Sequence, residues 1–424
     1  MRRWLALLLA LPLYAQFPPQ FTPAERQLAL DSFEKVWTTI RDTHWEKNPG
    51  GLDWQAIHRE YRPKIEQAQS LEQARAVMRD MLGRLHETHF AILPGSLYED
   101  GALPEGVAGA GSPGIDLRVL NGHAVVTELD PESPAERAGV KPGWVISSVN
   151  GKDLAAQIRK VAADPAISEI TLTHSLLARL SGPIGGKISA AFLDGQNRTA
   201  ALDLGLAPPR GQPSQFGNLP TTDVWFESKH LSNTGYVRFN MFLDIPVVMG
   251  GFGKAIEGCK DCDGLIIDLR GNPGGIGAMA MGMAGYLVSK PGLRLGTMYT
   301  RDVPLKFVIN PRSPAFTGPV AVLVDACSAS TSEILAGGLK DLGRARIFGT
   351  RSAAAALPSI IERLPDGDGF QYAVANYISE GGKPLEGAGV VPDVAVKLTR
   401  EALLAGRDPV IEAAQNWIQK QRNK

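Results

Sequence analysis

The sequence predicts three structural parts: an N-terminal helical region, a β-rich domain, and an α/β core whose sheet is mostly parallel. Its 424 residues exceed what one hydrophobic core usually serves. Apolar residues recur at helical spacing near the N-terminus, and short β-branched runs alternate with turn signals in the middle of the chain. From about residue 209 strands alternate with helices, an order typical of a parallel sheet.

The chain begins with MRRWLALLLALPLYAQ, which has the layout of a secretory signal peptide. Two arginines precede an apolar run of about ten residues, and a small residue, Ala15, follows it. The run is too short to span a bilayer. We therefore expect a signal peptide over residues 1–15 and an exported protein, periplasmic or secreted, without a membrane span in the mature chain. An uncleaved signal anchor is the alternative, and Pro12 disfavours it because proline interrupts the run.

The charge balance and the cysteine content narrow the range of partners. Lys and Arg together number 44, as do Asp and Glu, and no long block of one sign occurs. We therefore expect neither nucleic acid nor an anionic membrane as a partner. Cys259 and Cys262 form half of a zinc motif, but no second pair completes four ligands, so we expect no metal site. A local disulfide or two small residues at a helix end remain as interpretations.

Residues 16–104 form the predicted helical region. Thr22-Pro23-Ala24-Glu25 is a capping box with proline at the first helical position. The apolar residues that follow recur near helical spacing, at Leu28, Phe33, Val36, Trp37 and Ile40. Further helices are expected from Asp53 and from Ser70 to Leu85, and the helical pattern stops at LHETHF. His89 therefore lies just past a helix end.

Residues 105–208 alternate short β-branched runs with turns, and the segment SPAERAGVKPGWVISSVNGKDL resembles a PDZ domain. In such a domain Gly139 and Gly143 would shape the turns around the strand 144–149. The resemblance implies a groove that takes an extended peptide by strand addition, often with capture of its C-terminal carboxylate on backbone amides. We place that binding loop at Gly114-Ile115-Asp116-Leu117. The alternative is a packing module that binds no ligand.

Residues 209–424 form the predicted α/β core. Buried strands are expected at GYVRFNMF, GLIIDLR, VAVLVDA and RARIFGT, with helices near 246–259, 277–288 and 332–341. The stretch DACSASTSEI joins the third strand to the last helix. A serine in such a turn is exposed above the sheet, where backbone N–H groups at a helix start can meet an oxyanion. Serine is also a favoured N-cap, so the turn alone leaves both interpretations open.

Three stretches, VDACSASTSEILAGGLKD, GLIIDLRGNPGG and LEGAGVVPDVAV, resemble the catalytic core of the tail-specific, or C-terminal processing, serine proteases. With the PDZ-like segment the resemblance covers about residues 80–400. It implies a crotonase-like or ClpP-like fold for the core. It also implies a serine-type peptidase that needs neither a metal nor an organic cofactor.

By this resemblance the middle serine of the motif, Ser330, is the nucleophile. Ser328 and Ser332 would be structural, with Ser332 as a helix cap. Cys327 lies directly before Ser328, and its place ahead of the turn indicates a packing role rather than a nucleophilic one.

The resemblance also assigns an oxyanion hole. The glycines after Asp268-Leu269-Arg270 let the backbone approach a substrate closely. The family uses one glycine amide of this loop with the amide that follows the nucleophile. These are Gly274, or alternatively Gly275, with Thr331.

The base is not the one found in the better-known members of the family, which use a lysine downstream of the serine. The matching position here is Ala355, and no lysine lies between Lys340 and Lys383. The lysine dyad is therefore not available by this alignment. Compared with the family's histidine-dependent branch, Ser352 and Ala354 replace threonine and glycine, so we expect this loop to differ in shape.

The histidine-dependent branch, typified by the tricorn-core protease, offers the alternative base. Its histidine follows a small hydroxyl residue just before the central domains, and Thr88-His89 resembles that site. Its orienting glutamate precedes a G-V-x-P-D motif, which places it here at Glu386. A nucleophile, a base and an acid that fixes the tautomer of the base form a triad. His86 is the main competitor for the base.

We therefore predict an exported serine endopeptidase that cleaves proteins or peptides, engaged through their C-termini, by acyl-enzyme chemistry. One alternative is a non-catalytic binding protein of the same fold that carries peptides or small hydrophobic ligands. Another is a peptide-binding scaffold in which only the PDZ-like part matters.

Overall fold

The computed structural model describes residues 21–95, 110–162 and 168–422. The predicted signal peptide 1–15, its cleavage point near Ala15 and the boundary predicted at residues 104 and 105 lie outside these residues. Among the helices of the described ranges, none combines the length and the apolar character that a membrane crossing requires.

The secondary structure follows the order that the sequence predicts. The helices are α1 Pro23–Thr43, α2 Trp54–Glu66, α3 Leu71–Gly83, α4 Pro134–Arg137, α5 Leu154–Ala162, α6 Glu169–Arg179, α7 Ile245–Gly258, α8 Gly277–Gly285, α9 Thr331–Asp341, α10 Arg400–Leu404 and α11 Pro409–Arg422, with a 3₁₀ turn at Pro49–Gly51. The strands are β1 Ala91–Leu93, β2 Ala110–Gly111, β3 Ile115–Leu120, β4 His123–Leu129, β5 Val145–Val149, β6 Lys152–Asp153, β7 Gly182–Pro183, β8 Lys187–Leu193, β9 Thr199–Gly205, β10 Gln212–Ser214, β11 Thr222–Val224, β12 Phe226–Leu231, β13 Thr234–Phe239, β14 Gly264–Asp268, β15 Arg294–Thr300, β16 Pro304–Val308, β17 Val320–Val324, β18 Ala345–Gly349, β19 Ser359–Arg363, β20 Gly369–Ala373, β21 Ala375–Ser379 and β22 Val394–Ala395.

Side-chain caps set the starts of the first three helices. The capping box predicted at Thr22 is present, because the Thr22 amide donates to Glu25 at 2.8 Å and the Glu25 amide donates to the Thr22 hydroxyl at 3.2 Å. The Asp53 and Ser70 side chains cap α2 and α3 by accepting from the amides of Ala56 and Gln73. The three helices bury one common apolar cluster.

A hairpin from the C-terminal part of the chain completes this N-terminal cluster. Strands β19 and β20 pair antiparallel, and β1 pairs with β20. Leu364, Phe370 and Tyr372 of the hairpin are buried among the helices. Because β1 begins at Ala91, this pairing fixes the chain just after His89.

The central sheet of the core has the strand order β12-β13-β14-β17-β18-β22. The edge pair β12–β13 is antiparallel, and the other pairs are parallel. Alternate residues of β14 and β17 point to opposite faces, so one face packs on α7, α8 and α9 and the other on α11. The apolar runs GLIID and VAVLV are buried on both faces for this reason.

The sheets of the molecule as a whole are largely antiparallel, so the predicted mostly parallel sheet is not confirmed. The PDZ-like sheet β3-β4-β5-β8-β9 and the sheets β16-β15-β21 and β1-β20-β19 contain antiparallel pairs throughout. Their hairpins have short connections, such as residues 301–303 between β15 and β16, and a parallel pair would need a much longer crossover. The crotonase-like or ClpP-like assignment is not confirmed either.

The PDZ-like sheet packs around its own apolar cluster, with α5 and α6 against it. Gly139 and Gly143 have φ angles of +83° and +86°, as the predicted turns require. Helix α10 fastens this domain to the core, because Arg400 donates to the carbonyls of Gly143 and Asp194 at 2.9 and 2.7 Å. Leu403 is buried against Val125 and Val145 at the same contact.

A buried ion pair holds the β19–β20 hairpin to the helices. The Asp368 carboxylate has no exposed surface and accepts from Arg75 Nε and Nη2 at 2.6 and 2.7 Å, and from the Gly95 amide at 2.7 Å. This pair therefore secures the strand pairing that follows His89.

We predict that Asp368→Ala lowers the free energy of unfolding by about 3 kcal/mol, because the substitution leaves the Arg75 guanidinium without its buried partner. Thermal melting followed by circular dichroism measures the effect. Glu72→Ala is the matched control, since Glu72 reaches the same guanidinium at 3.5 Å from a largely exposed position and should melt close to wild type. Equal melting temperatures for both variants would contradict a structural role for the pair.

Candidate active site

The nucleophile candidate lies in the turn between β17 and α9. Ser330 precedes the first helical residue, Thr331, with φ +55° and ψ −118°. A positive φ is strained for a residue with a Cβ, and such strain collects at functional sites. Ser330 is partly exposed, whereas Ser328 and Ser332 are buried.

Hydrogen bonds explain the two flanking serines. The Ser328 hydroxyl donates to the Leu269 carbonyl at 2.8 Å. The Ser332 hydroxyl donates to the Asn272 carbonyl at 2.9 Å and lies 3.1 Å from its side-chain oxygen. The predicted cap role of Ser332 is therefore wrong, since Ser330 holds the cap position and Ser332 ties the helix to the glycine-rich loop.

Cys327 takes the packing role that its position predicts. Its side chain is buried, and burial raises the pKa of the thiol to about 12. A thiolate nucleophile is therefore disfavoured at this position.

The glycine-rich loop lies directly against the nucleophile. A Cβ on Gly274 would approach the Ser330 Cβ to 2.7 Å and the Thr331 amide to 2.8 Å, so only glycine fits this contact. The Gly274 amide donates to the Asn272 side chain at 2.9 Å. Gly275 accepts from the Thr331 hydroxyl at 2.7 Å and is exposed. Within the described residues neither the Gly275 amide nor the Thr331 amide has a recorded acceptor.

The structure brings His89 and Glu386 together through Thr88. The Thr88 hydroxyl lies 2.8 Å from His89 Nδ1 and donates to Glu386 Oε2 at 2.9 Å. The Thr88 amide donates to Glu386 Oε1 at 3.0 Å. Sequence reasoning left the part played by Thr88 open, and its one signal was a small hydroxyl residue directly before the histidine.

Glu386 lies on an irregular segment that two apolar neighbours anchor. Leu385 and Val390 are buried in the core cluster and face Gly337 of α9. Burial raises the pKa of Glu386, although hydrogen bonds from Ala356 and Thr88 favour the ionised form. The carboxylate is therefore held by hydrogen-bond donors without a cation.

Protein atoms crowd the His89 ring, which keeps only part of its surface exposed. This loss of hydration lowers the pKa of His89 to about 4, so the ring is neutral at neutral pH. His86, the competing base, is exposed, and the Thr88 hydroxyl that bonds Glu386 contacts the His89 ring instead. His89 therefore has the environment of a base.

The nucleophile candidate and Glu386 are both bonded to the loop at residues 355 and 356. Within the described residues no hydrogen bond joins Ser330 to the His89 ring. The Ser330 amide donates to the Ala355 carbonyl at 2.7 Å, and the next amide, that of Ala356, donates to Glu386 at 2.9 Å. Catalytic hydrogen bonds are often long in the absence of substrate.

Glu333 is a further site neighbour that the sequence analysis did not assign. Its carboxylate has no exposed surface and accepts from the amides of Ser330, Ala354 and Ala355 and from the Ser352 hydroxyl. Ala354 has φ +60°, a conformation that glycine adopts more readily than alanine. The detectable signal for Glu333 was its place three residues after a cap residue.

The peptide-binding loop predicted at residues 114–117 begins β3, whose one recorded partner strand within the described chain is β4. Two amides of the loop already have internal acceptors: Gly114 donates to Ser112 and Leu117 to Asp116. Ile115 and Asp116 line a cavity next to Gly271 of the glycine-rich loop.

An ion pair joins this strand to the core. Arg118 donates to Asp325 at 2.7 Å, and the pKa of Asp325 is lowered because the pairing outweighs its burial. Asp325 also accepts from the Gly271 and Cys327 amides at 2.9 and 3.0 Å. The PDZ-like edge strand is therefore coupled to the turn that leads to the nucleophile.

Cys259 and Cys262 form a disulfide, one of the two interpretations that the sequence allows. His230 lies close to both sulfurs, and the three ligand atoms fall within 4.8 Å of one another. The sulfur atoms are bonded to each other, so they offer no thiolate ligands.

Models of three known domain families match parts of this chain. The model of peptidase family S41 matches residues 233–396, which contain the nucleophile turn, the glycine-rich loop and Glu386. The tricorn protease C1 domain matches residues 29–83, and a PDZ domain matches residues 125–163.

Individual relatives cover most of the chain. The carboxy-terminal processing protease CtpB of Bacillus subtilis (strain 168) is 24% identical over 380 residues, which cover 88% of this chain and 69% of the relative. The carboxyl-terminal-processing protease of Picosynechococcus sp. (strain ATCC 27264 / PCC 7002 / PR-6) is 24% identical over 399 residues, which cover 89% of this chain and 86% of the relative.

Solved structures share the fold. The photosystem II D1 C-terminal processing protease superposes with a TM-score of 0.57 at 24% identity, covering 88% of this chain and 94% of the other. Mature CPAF superposes with a TM-score of 0.62 at 14% identity, covering 94% and 96%. The tricorn protease gives 0.53 at 18% identity, covering 94% of this chain and 37% of the other.

The family match and the arrangement around Ser330 agree on one class of enzyme. A non-catalytic binding protein is not favoured, because the relatives that match across the chain are proteases. Residues 233–396 match the model of peptidase family S41, and the chain is a serine-type peptidase.

Proposed function

We propose that this protein is an exported endopeptidase that cleaves proteins or peptides near their C-termini with the triad Ser330, His89 and Glu386. The observation that carries the assignment of the base is the hydrogen-bonded line from Glu386 through the Thr88 hydroxyl to His89 Nδ1. Such a line is what a base needs in order to keep one tautomer and one orientation.

The same line assigns the tautomer. An ionised carboxylate only accepts hydrogen bonds, so the Thr88 hydroxyl donates its proton to Glu386. The hydroxyl oxygen then accepts from Nδ1–H of His89, which leaves Nε2 with a free lone pair. Nε2 is therefore the atom proposed to take the proton of Ser330.

The reaction then proceeds in two halves. The Ser330 oxygen attacks the scissile carbonyl carbon while His89 Nε2 takes the hydroxyl proton, and the Thr331 amide with a glycine amide of residues 274–275 receives the oxyanion. Collapse breaks the C–N bond, and the imidazolium gives its proton to the leaving amine. A water molecule, deprotonated by His89, attacks the acyl-enzyme and releases the new carboxylate and Ser330.

A lysine base has little support. Ala355 occupies the position that lysine holds in the other branch, and its side chain is a methyl group. Lys340 lies 3.0 Å from Asp393, and Lys383 is exposed. Among the described lysines, none has a recorded hydrogen bond to Ser330. We therefore assign the chain to the histidine-dependent branch.

We also propose the domain boundaries and the peptide-binding segment of the chain. We propose a signal peptide over residues 1–15, a helical region to residue 104, a PDZ-like domain over 105–208 and the core from 209, acting without a metal or organic cofactor. The relatives are named for carboxy-terminal processing, and the edge strand β3 supports peptide addition at residues 114–117.

A fluorophosphonate probe tests the nucleophile directly, because it labels a serine that a neighbouring base activates. We expect labelling at Ser330 and its loss in Ser330→Ala. Labelling at another serine, or none in folded protein, would overturn the assignment.

We predict that Ser330→Ala and His89→Ala each reduce turnover as much as the double variant, because the nucleophile and its base act as one unit. Lys383→Ala is the control, and it should keep wild-type turnover. Steady-state peptide hydrolysis, with thermal melting to check folding, measures both. A folded His89→Ala protein that retains turnover would transfer the base role to His86.

We predict that Thr88→Val reduces kcat by roughly a hundredfold, as does Glu386→Gln, because the carboxylate orients His89 through the threonine hydroxyl. Combining the two substitutions should add little. Thr88→Ser retains the hydroxyl and should recover most of the activity. Wild-type kcat in Thr88→Val would show that Glu386 acts without this hydroxyl.

We predict that amidation of a substrate's C-terminus raises KM about tenfold or more, because a charge and its hydrogen bonds to backbone amides are lost. Matched pairs of free and amidated peptides measure the effect. Equal KM values for the pairs would remove C-terminal recognition from the proposal.

A further inference from the structure

We propose that Glu333 and Ser352 form a clamp that positions the nucleophile and the orienting acid, and that the clamp works only while the Glu333 carboxylate is ionised. This inference rests on the proposed role of Ser330. It concerns residues that do not touch the substrate, so both are positioning residues.

The geometry begins with the buried Glu333 carboxylate, which has no cation partner among the residues that the structure describes. Glu333 Oε1 accepts from the Ser352 hydroxyl at 2.5 Å and from the Ala354 amide at 2.9 Å. Oε2 accepts from the amides of Ser330 and Ala355 at 3.0 Å each. A buried carboxyl group normally has an ionic partner, so four neutral donors indicate a site built for an acceptor.

The clamp joins two segments that need support. Ser330 and Ala354 both have φ near +60°, a conformation that costs a residue with a Cβ free energy. Glu333 accepts a hydrogen bond from the amide of each. It therefore stabilises the strained turn of the nucleophile and the strained loop opposite it at the same time.

Ser352 extends the clamp to the segment that carries the acid. Its hydroxyl has one proton, which goes to Glu333, and its oxygen accepts from the Val390 amide at 2.6 Å. The Gly387 amide donates to the Ala354 carbonyl at 2.9 Å. The nucleophile turn, the loop 352–356 and the segment around Glu386 are therefore held by one connected set of bonds.

Protonation of Glu333 would break this set. All four partners donate hydrogen bonds to the Glu333 carboxylate. A proton added to one carboxylate oxygen would point at an N–H or O–H group, so that oxygen would no longer accept the hydrogen bond. Burial raises the pKa of Glu333 to about 7, against the pull of its four donors. Charged and titratable groups on the packed elements bond elsewhere: Glu386 to Thr88, Arg351 to Ala388, Asp325 to Arg118 and Lys340 to Asp393.

The sign of the pH effect distinguishes the clamp from general acid unfolding. A carboxyl group whose pKa is higher in the folded state favours folding in its protonated form. Its contribution to stability therefore falls as pH rises from its ordinary value near 4.5 through about 7. The proposed clamp strengthens over the same pH range because the Glu333 carboxylate becomes ionised. Activity should therefore rise with pH while the contribution of Glu333 to folding stability declines.

Titration of His89 and titration of Glu333 should each lower kcat, but in different ranges of pH. The pKa of His89 is lowered to about 4, so loss of its base form would appear near pH 4. A limb near pH 7 would belong to Glu333. We expect kcat at saturating substrate to fall about tenfold or more below pH 7 while KM changes little.

Variants of Ser352 supply the matched test. Ser352→Ala removes one of the four donors, which should lower kcat about tenfold and move the limb about one pH unit upward. Ser352→Thr keeps the hydroxyl and should restore both values. Glu333→Gln should lower kcat further and abolish the limb near pH 7. Wild-type kcat and an unmoved limb in Ser352→Ala would overturn the clamp.

A readout without activity separates this inference from the proposed function. Amide hydrogen exchange of residues 352–356 in Ser330→Ala protein, corrected for the intrinsic pH dependence of exchange, should show protection above pH 7 that is lost below it. Ser352→Ala should weaken that protection, and Ser352→Thr should not. Protection that does not change with pH or with Ser352→Ala would overturn the clamp even where the triad is upheld.

Discussion

The backbone of residues 354–356 is the constraint on which the arrangement of the site depends. The amides of Ala354 and Ala355 bind one carboxylate, Glu333, and the next amide, that of Ala356, binds another, Glu386. The carbonyl of Ala355 accepts a hydrogen bond from the Ser330 amide. A single irregular stretch thus sets the spacing between the nucleophile and the acid, although its own side chains are methyl groups. A lysine within residues 354–356 would be held by the same backbone hydrogen bonds, and its amine would then be the base.

The molecule stabilises its buried charges in two distinct ways. Away from the nucleophile, carboxylates pair with arginines: burial alone would raise the pKa of Asp268, but Arg270 holds it at about 2. At the site, the donors to Glu333 and Glu386 within the described ranges are all neutral, and burial raises the pKa of both. Arginine pairs favour rigidity and permanent charge, whereas carboxylates held by neutral donors remain close to titration. The proposed clamp is therefore sensitive to pH, whereas the arginine-paired contacts such as Asp268 with Arg270 keep their charge.

Features that depend on residues close together in the sequence could be predicted from it. The capping box at Thr22 and the buried strands GLIID and VAVLV depend on neighbouring residues, and both are present. The pairing of β1 with β20 and the contact between Thr88 and Glu386 join residues nearly three hundred positions apart, and no local pattern encodes them. The left-handed backbone at Ala354 was also hidden, because alanine rarely adopts it. The antiparallel sheets around the parallel strands of the central sheet were not foreseen for a related reason, since apolar runs do not reveal which neighbour each strand will take.

The bond from Thr88 to Glu386 spans 298 positions of the chain, and this separation has a consequence for how the protein is made. During synthesis from the N-terminus the base emerges first, the nucleophile follows much later, and the orienting acid comes last. A partly translated or truncated polypeptide therefore lacks the acid even when both other groups are present. Under the proposed triad, full hydrolytic activity therefore requires synthesis and folding of the chain past Glu386.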